Sequence, residues 1–202
     1  MWSIVAAERG ALAEDLAALT AEQWRTPSLN DGWSVRDTLA HMTQTAKTTV
    51  GGFFGGLIAT GFNFGKFIQL GVDQNLGATP ADTLANFRAI KDSRKAPPGP
   101  KLSWLGETIV HAEDIRRPLG IKHDYPQQAV IDVLDFYKTS NTLIGTKSRI
   151  AGVNLRATDA DWSYGDGPEV SGPLLSLLMA ATGRTAALDE LAGDGVAILR
   201  GR

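Results

Sequence analysis

The chain of 202 residues has no cysteine and only three histidines. Without cysteine, disulfides, thiolate metal ligands and a cysteine nucleophile are all excluded. Any sulfur chemistry must therefore use a thiol that comes from outside the chain. Metal binding through imidazole must draw on His41, His111 and His123.

An excess of charge of one sign is also missing. Lys and Arg number 20 and Asp and Glu 22, which gives a net charge of -2. The chain therefore offers no electrostatic reason to bind nucleic acid or an anionic membrane. The hydrophobic fraction of 43% is that of a folded globular protein and excludes a largely disordered one. The N-terminus MWSIVAAERG lacks the basic start of a signal peptide, and we expect a cytoplasmic protein.

Long uninterrupted apolar runs are lacking, with one borderline case at residues 50–72. This segment is apolar and rich in glycine, but Asn63 and Lys66 interrupt it, whereas a membrane span needs about 20 apolar residues. An interior helix or a helix–loop–helix is the better interpretation, and the glycines indicate close packing or a broken helix.

Apolar residues at helical spacing predict an all-α body at residues 1–145. Ser34 is a predicted N-cap with Asp37 as its partner and Trp33 as a staple residue, and Thr79 caps a helix whose first residue is Pro80. In the first helix, Glu8 and Arg9 are expected on the polar face. The predicted helices cover about 2–19, 34–46, 79–91, 103–117 and 126–141.

The pattern changes near Gly145. Residues 152–164 alternate like two short strands around Asp159 and Ala160, and the turn-rich segment GDGPEVSG follows. The segment LLSLLMAATGR predicts a buried helix, and the remainder predicts a short helix, a turn and a final strand or helical turn. We therefore expect a small α+β domain at residues 146–202.

The strongest local motif is Glu107-Thr-Ile-Val-His111. Side chains four residues apart share one helix face, so the carboxylate and the imidazole could meet one metal ion. Asp114 stays on that face and could orient the His111 ring or act as a fourth ligand. A third ligand would come from His41, on an amphipathic helix, or from His123, in a polar loop. Two histidines and one carboxylate form a recurrent catalytic zinc set with one open position.

Each of these residues also has an ordinary structural interpretation. Glu107 and His111 could be a solvated pair, His41 a hydrogen-bonded core residue and His123 a surface residue. Arg116 and Arg117 lie at a helix C-terminus, where cations are favoured, although they could instead bind a carboxylate.

Three segments together resemble the mycothiol-dependent maleylpyruvate isomerase family, which belongs to the wider DinB-like group of helical bundles. They are GWSVRDTLAH (32–41), ETIVHAEDIRRPLG (107–120) and ATDADWSYGDGPEVSGP (157–173). The resemblance implies a mainly α fold, with a DinB-like four-helix bundle and a small C-terminal α/β domain. It also implies a divalent metal, commonly zinc, on His41, Glu107 and His111, and mycothiol as cofactor. The family's substrate-binding arginine falls nearest to Arg184.

These residues lead to a functional hypothesis. A thiol with a pKa of about 8.5 is mostly protonated at neutral pH, and a divalent cation favours its thiolate. A metal-bound mycothiol thiolate would attack a small electrophilic, carboxylate-bearing substrate, as in an isomerase or a thiol S-transferase. Arg184 and Asp114 are the candidate catalytic residues, and Arg116 and Arg117 the candidate cofactor-binding residues.

Several alternatives stay open on the sequence alone. The same ligands could activate water in a metal-dependent hydrolase. The bundle could also be a non-catalytic small-molecule-binding protein, or a purely structural one with fortuitous histidines. Imidazole and carboxylate also suit nickel, iron and manganese. The substrate and the oligomeric state, a homodimer included, are not fixed.

Overall fold

A computed structural model describes residues 1–142 and 144–202 of the chain. The chain divides into two compact units, Met1–Asp124 and Tyr125–Arg202. The first is helical and the second combines helices with a three-stranded sheet. The predicted fold class, mainly α with a small α+β part at the C-terminus, is confirmed.

The first unit is built around a four-helix bundle. Its α-helices are α1 (Trp2–Asp15), α2 (Val35–Lys47), α3 (Val50–Ala59), α4 (Phe64–Leu76), α5 (Pro80–Arg88) and α6 (Lys101–Arg116). Helices α1, α2, α5 and α6 pack against one another in a ring, and all four contribute to one buried apolar core. Two short 3-10 helices lie at Gln23–Arg25 and Arg117–Leu119.

Local capping signals start two of these helices where the sequence predicts. The Ser34 hydroxyl accepts a hydrogen bond from the Asp37 N–H, and the Asp37 carboxylate accepts one from the Ser34 N–H at 2.9 Å. Thr79 and Asp82 repeat this capping box at the start of α5. Both predicted N-caps are confirmed. They are predictable from the sequence because a capping box depends on residues within one turn of each other.

Residues 50–72 form the two-helix hairpin of α3 and most of α4. Helix α4 packs closely on α2, since a Cβ at Gly71 would overlap the side-chain amide of Gln44. Helix α3, in contrast, contains no buried residue. The helix–loop–helix interpretation is thus confirmed and the interior position is wrong for α3. Among the described residues, none of the helices has both the length and the hydrophobicity that a membrane span requires.

The second unit combines helices with a mixed three-stranded sheet. Its elements are α7 (Gln127–Tyr137), α8 (Thr146–Arg149), β1 (Asn154–Ala157), β2 (Ser163–Tyr164), β3 (Glu169–Gly172), α9 (Leu174–Ala181) and α10 (Val196–Arg200), with a 3-10 helix at Thr185–Glu190. The strand order is β2-β1-β3. Strand β1 is antiparallel to β2, with Leu155 opposite Tyr164, and parallel to β3, with Leu155 opposite Val170.

Helix α9 contacts both the sheet and α7. This packing places α7 in the second unit, so the division by contacts falls earlier in the chain than the predicted boundary after residue 145. An independently folding domain at residues 146–202 stays a prediction. Strand β3 lies in the segment predicted as turns. The sequence does not predict this strand, because its four residues alternate too briefly to stand out among the flanking glycines.

Candidate metal centre

Helices α2 and α6 are neighbours in the bundle and bring three candidate ligands together. His41 projects from α2, while Glu107 and His111 project from α6 one turn apart. One ligand atom of each residue lies within 4.8 Å of the other two. The rings of His41 and His111 are 5.0 Å apart, edge to face. This group could hold a metal ion.

Electrostatics keep the His41 imidazole neutral. Burial and the neighbouring His111 lower the pKa of His41 to about 3, while Gln44 and Asp114 partly oppose the shift. A neutral imidazole retains the lone pair that a cation requires. The Nδ1 atom of His41 is buried and has no hydrogen-bond partner among the described residues.

Glu107 places a carboxylate inside the bundle. Burial raises its pKa, and the charges of His111 and Arg9, with smaller effects of Thr45 and Thr108, oppose that rise. In the described part of the chain, neither carboxylate oxygen has a hydrogen-bond partner of ordinary geometry. A buried carboxylate is costly unless a proton or a cation compensates it. Two imidazoles and this carboxylate therefore fit a divalent cation.

Asp114 fixes the orientation of His111. The Nδ1 atom of His111 lies 2.9 Å from Oδ2 of Asp114, whose side chain is fully buried. With Nδ1 engaged, Nε2 is the atom left to act as a ligand. The contact corresponds to the first of the two roles predicted for Asp114, the orientation of the imidazole. Its role in catalysis stays a prediction.

Trp33 lies beside the group, with its ring centroid 5.0 Å from that of His41. One backbone hydrogen bond closes the loop that carries Trp33, and another joins the loop to α6. The Ser28 N–H donates to the carbonyl of Trp33, and the Leu29 N–H donates to the carbonyl of Asp114. The sequence indicated Trp33 only as a staple residue, and its position just before the α2 cap was the one signal available.

Arg9 is a second neighbour that the sequence did not reveal. Its guanidinium is buried and donates to the carbonyls of Ile90 and Ser93, and its charge acts on Glu107. Its neighbour Glu8 is also buried. The expectation that both lie on an exposed polar face of α1 is wrong, because α1 turns this part of its surface into the unit.

His123, the alternative third ligand, lies elsewhere in the first unit. Its Nε2 is 2.6 Å from the Glu8 carboxylate, and the ring is mostly buried. His123 is not part of the three-residue group. A polar loop sequence is no guide to such a contact, since the partner is more than one hundred positions away.

The predicted arginines have other contacts. Arg116 is fully buried and pairs with Asp15 at 2.7 Å, and Arg117 pairs with Glu113 at 2.9 Å. These contacts give no support to cofactor binding, which stays a prediction. Arg184 lies in the second unit and donates to the carbonyl of Thr182 at 3.0 Å. Its role toward a substrate also stays a prediction.

The fold and the site define a helical bundle with a His–Glu–His group between two of its helices. Residues 5–99 match the family model of the mycothiol maleylpyruvate isomerase N-terminal domain. The N-terminal part of the chain therefore contains a mycothiol maleylpyruvate isomerase N-terminal domain. His41 lies inside the matched range, while Glu107 and His111 lie beyond it.

Two solved structures are similar to the chain over most of its length. They are crystal structures of a mycothiol-dependent maleylpyruvate isomerase and of a variant with one histidine replaced by alanine, with TM-scores of 0.61 and 0.64. Each alignment covers 96% of this chain and 91% of the chain in the solved structure, at 14% sequence identity. At this identity the likeness shows the fold alone. No curated protein matches the chain.

Proposed function

We propose that the protein is a metal-dependent and mycothiol-dependent isomerase or thiol S-transferase. Its substrate would be a small electrophile, in our proposal one that carries a carboxylate. The observation that supports this proposal most directly is the convergence of His41, Glu107 and His111, with both oxygens of Glu107 buried and unpartnered in the described structure. The family match supports mycothiol as the thiol.

The three side chains would hold one divalent cation, for which zinc is our first candidate. His41 offers a neutral imidazole, His111 its Nε2, and Glu107 a negative charge. Three protein ligands leave a coordination position for an exogenous group. A thiol that takes this position would be favoured in its thiolate form by the cation. The chain has no cysteine, so that thiol must be an external one.

Neighbouring residues orient the three candidate ligands and influence their charge. Asp114 accepts a hydrogen bond from Nδ1 of His111, which sets the tautomer and the direction of Nε2. Arg9 opposes the rise in the pKa of Glu107 and so favours the ionised carboxylate. The Trp33 ring lies against the His41 ring, with the two ring centroids 5.0 Å apart. Asp114 is thus a positioning residue in this proposal.

The proposed reaction uses the nucleophilic sulfur of mycothiol. In an isomerase, a C–S bond forms at an activated double bond, rotation follows about the resulting single bond, and the C–S bond breaks to return the thiolate. In a transferase, the carbanion left by the addition would instead take up a proton from solvent, so that the C–S bond stays in the product. We propose Arg184 for the substrate carboxylate, because a guanidinium binds a carboxylate through two parallel hydrogen bonds.

Elemental analysis of protein purified without added metal tests the site. We expect about one metal ion per chain in the wild type and in His123→Ala, and a loss of bound metal in His41→Ala. His123→Ala is the matched control, because it removes an imidazole outside the group. Equal metal content in the two variants, or a metal-free wild type, would refute the ligand set.

Titration with mycothiol, followed by assays on a panel of electrophiles, tests the reaction. We expect turnover that requires both metal and mycothiol. Turnover with metal alone would instead indicate a hydrolase, and binding of metal and thiol without turnover would indicate a binding protein.

A further inference from the structure

Helix α3 exposes large apolar side chains to solvent. Val50, Phe54 and Ile58 follow one another at four-residue spacing and are 54%, 54% and 65% exposed. Phe62, in the turn after α3, is 75% exposed, and Phe64, at the start of α4, is 47% exposed. Monomers rarely leave such side chains together in water, so this surface needs an explanation.

Glycines lie next to these side chains. At about 100° per residue, Val50, Gly51, Phe54, Gly55 and Ile58 occupy a sector of about 140° around α3. A Cβ added at Gly51 or Gly55 would meet no atom within 4 Å. We name this sector, together with the exposed side chains of Phe62 and Phe64 that follow it in the chain, the α3 surface. The α3 surface therefore combines projecting side chains with a flat, accessible strip of backbone.

The area of this surface decides whether an interface is feasible. Its five apolar side chains, which are between half and three quarters exposed, offer roughly 100 Å² apiece, or about 500 Å² in one copy. Two copies that cover one another would bury about 1,000 Å², the area at which specific interfaces begin. The flanking glycines and polar residues add to that area.

We propose that the α3 surface binds a second copy of this chain. In a twofold arrangement with antiparallel α3 helices, Phe54 and Ile58 of each copy would lie on the glycine strip of the other. One face that carries both projections and the flat strip complements itself, as an isologous dimer requires. This proposal is independent of the proposed reaction.

Charge favours a second copy over a lipid surface. Lys66 is the one charged residue in positions 48–72, so the α3 surface itself carries no charge that would repel a second copy. An amphipathic helix that binds anionic lipid needs a basic polar face beside its apolar one, and α3 has no basic residue.

Sedimentation equilibrium of the full chain tests the dimer. We expect a concentration-dependent dimer for the wild type. Ile58→Glu should raise the dissociation constant at least tenfold, because two like charges would be buried in an apolar interface. Gly55→Leu should do the same by filling the strip, although leucine favours the helix. Ala18→Glu, an added acid at an exposed position outside the surface, should leave the dimer intact.

Circular dichroism and metal content should be unchanged in these variants, which would show that only association is altered. A wild type that stays monomeric up to about 1 mM would overturn the proposal. Equal dissociation constants in wild type, Ile58→Glu and Gly55→Leu would also overturn it.

Because the chain has no cysteine, a single introduced thiol reports the contact directly. Phe54→Cys, at the centre of the α3 surface, should form an intermolecular disulfide with a mild oxidant, whereas Ala18→Cys should not. Equal cross-linking of the two variants would contradict the proposal. Binding of a monomeric wild type to phospholipid vesicles would replace the second copy with a lipid surface.

Discussion

The centre between α2 and α6 and the surface of α3 depart from the usual distribution of side chains in opposite directions. The first buries a carboxylate, Glu107, and an imidazole, His41, while the second exposes Phe54 and Ile58. Each region is unfavourable for an isolated chain, since buried charge needs compensation and exposed apolar area needs cover. The difference teaches that, in our proposals, each region is completed by a different component, a cation in one and a second copy in the other.

Replacing Glu107 gives the largest expected effect. Glu107→Gln should weaken metal binding at least 100-fold, because it removes the negative ligand. The same change should stabilise the metal-free protein by about 1–3 kcal/mol, because a neutral amide costs less to bury than a carboxylate. Metal titration and denaturation in the presence of a chelator measure the two quantities. Unchanged metal affinity would show that Glu107 is not a ligand, and a less stable metal-free protein would show that its burial is not costly.

The stability of the metal-free protein should depend on His41 at acid pH. Its pKa is about 3 in the folded chain and about 6.5 in the unfolded chain. Between these values the unfolded chain binds a proton that the folded chain does not, so stability falls as the pH falls. The slope is about 1.4 kcal/mol per pH unit inside this window.

Comparison with His41→Gln isolates this effect, because the opposing contribution of Glu107 is present in both proteins. The free energy of unfolding of the wild type should drop relative to the variant between pH 6 and pH 4. A difference that does not vary with pH would mean that His41 is exposed to water.

Asp114→Asn should have a smaller effect on the metal centre. The variant keeps the shape of the side chain but can donate to Nδ1 of His111 and so favour the wrong tautomer. We expect a 10- to 100-fold loss of metal affinity, as for other residues that orient a ligand. Isothermal titration of the metal-free protein measures it. Wild-type affinity would show that the 2.9 Å contact does not set the ligand atom.

Two glycines, one on exposed α3 and one on α4 against α2, give the smallest expected effects. Gly55→Ala, in open space on α3, should stabilise the monomer by about 0.5–1 kcal/mol through helix propensity. Gly71→Ala should destabilise it by about 1–3 kcal/mol, because the new methyl overlaps Gln44 of α2. Chemical denaturation at low protein concentration measures both. Equal effects would mean that α4 does not pack closely on α2.

The helices were predictable where their signals are local. Ser34 and Thr79 begin their helices through contacts within one turn, so the residues alone identify the caps. Strand β3 was not predictable, because its pairing with β1 depends on residues in a distant segment. The exposure of α3 was not predictable either, since an apolar, glycine-rich run indicates an interior helix until packing is known.

The candidate site was predictable in part for the same reason. The spacing of Glu107 and His111 places them on one face of a helix, and the spacing needs no tertiary information. His41 as their partner came from the family resemblance, and its proximity requires the packing of α2 on α6. Arg9 and Trp33 are connected to the group only in three dimensions, so no sequence pattern assigns them to it.

X-ray absorption spectroscopy of the protein loaded with one zinc ion per chain tests the central claim most directly. The account predicts two imidazole nitrogens and one carboxylate oxygen at about 2.0–2.2 Å. It also predicts that His41→Ala removes one imidazole from the shell, while His123→Ala leaves the shell unchanged. A shell with fewer than two imidazoles in the wild type, or one that His41→Ala does not alter, would contradict it.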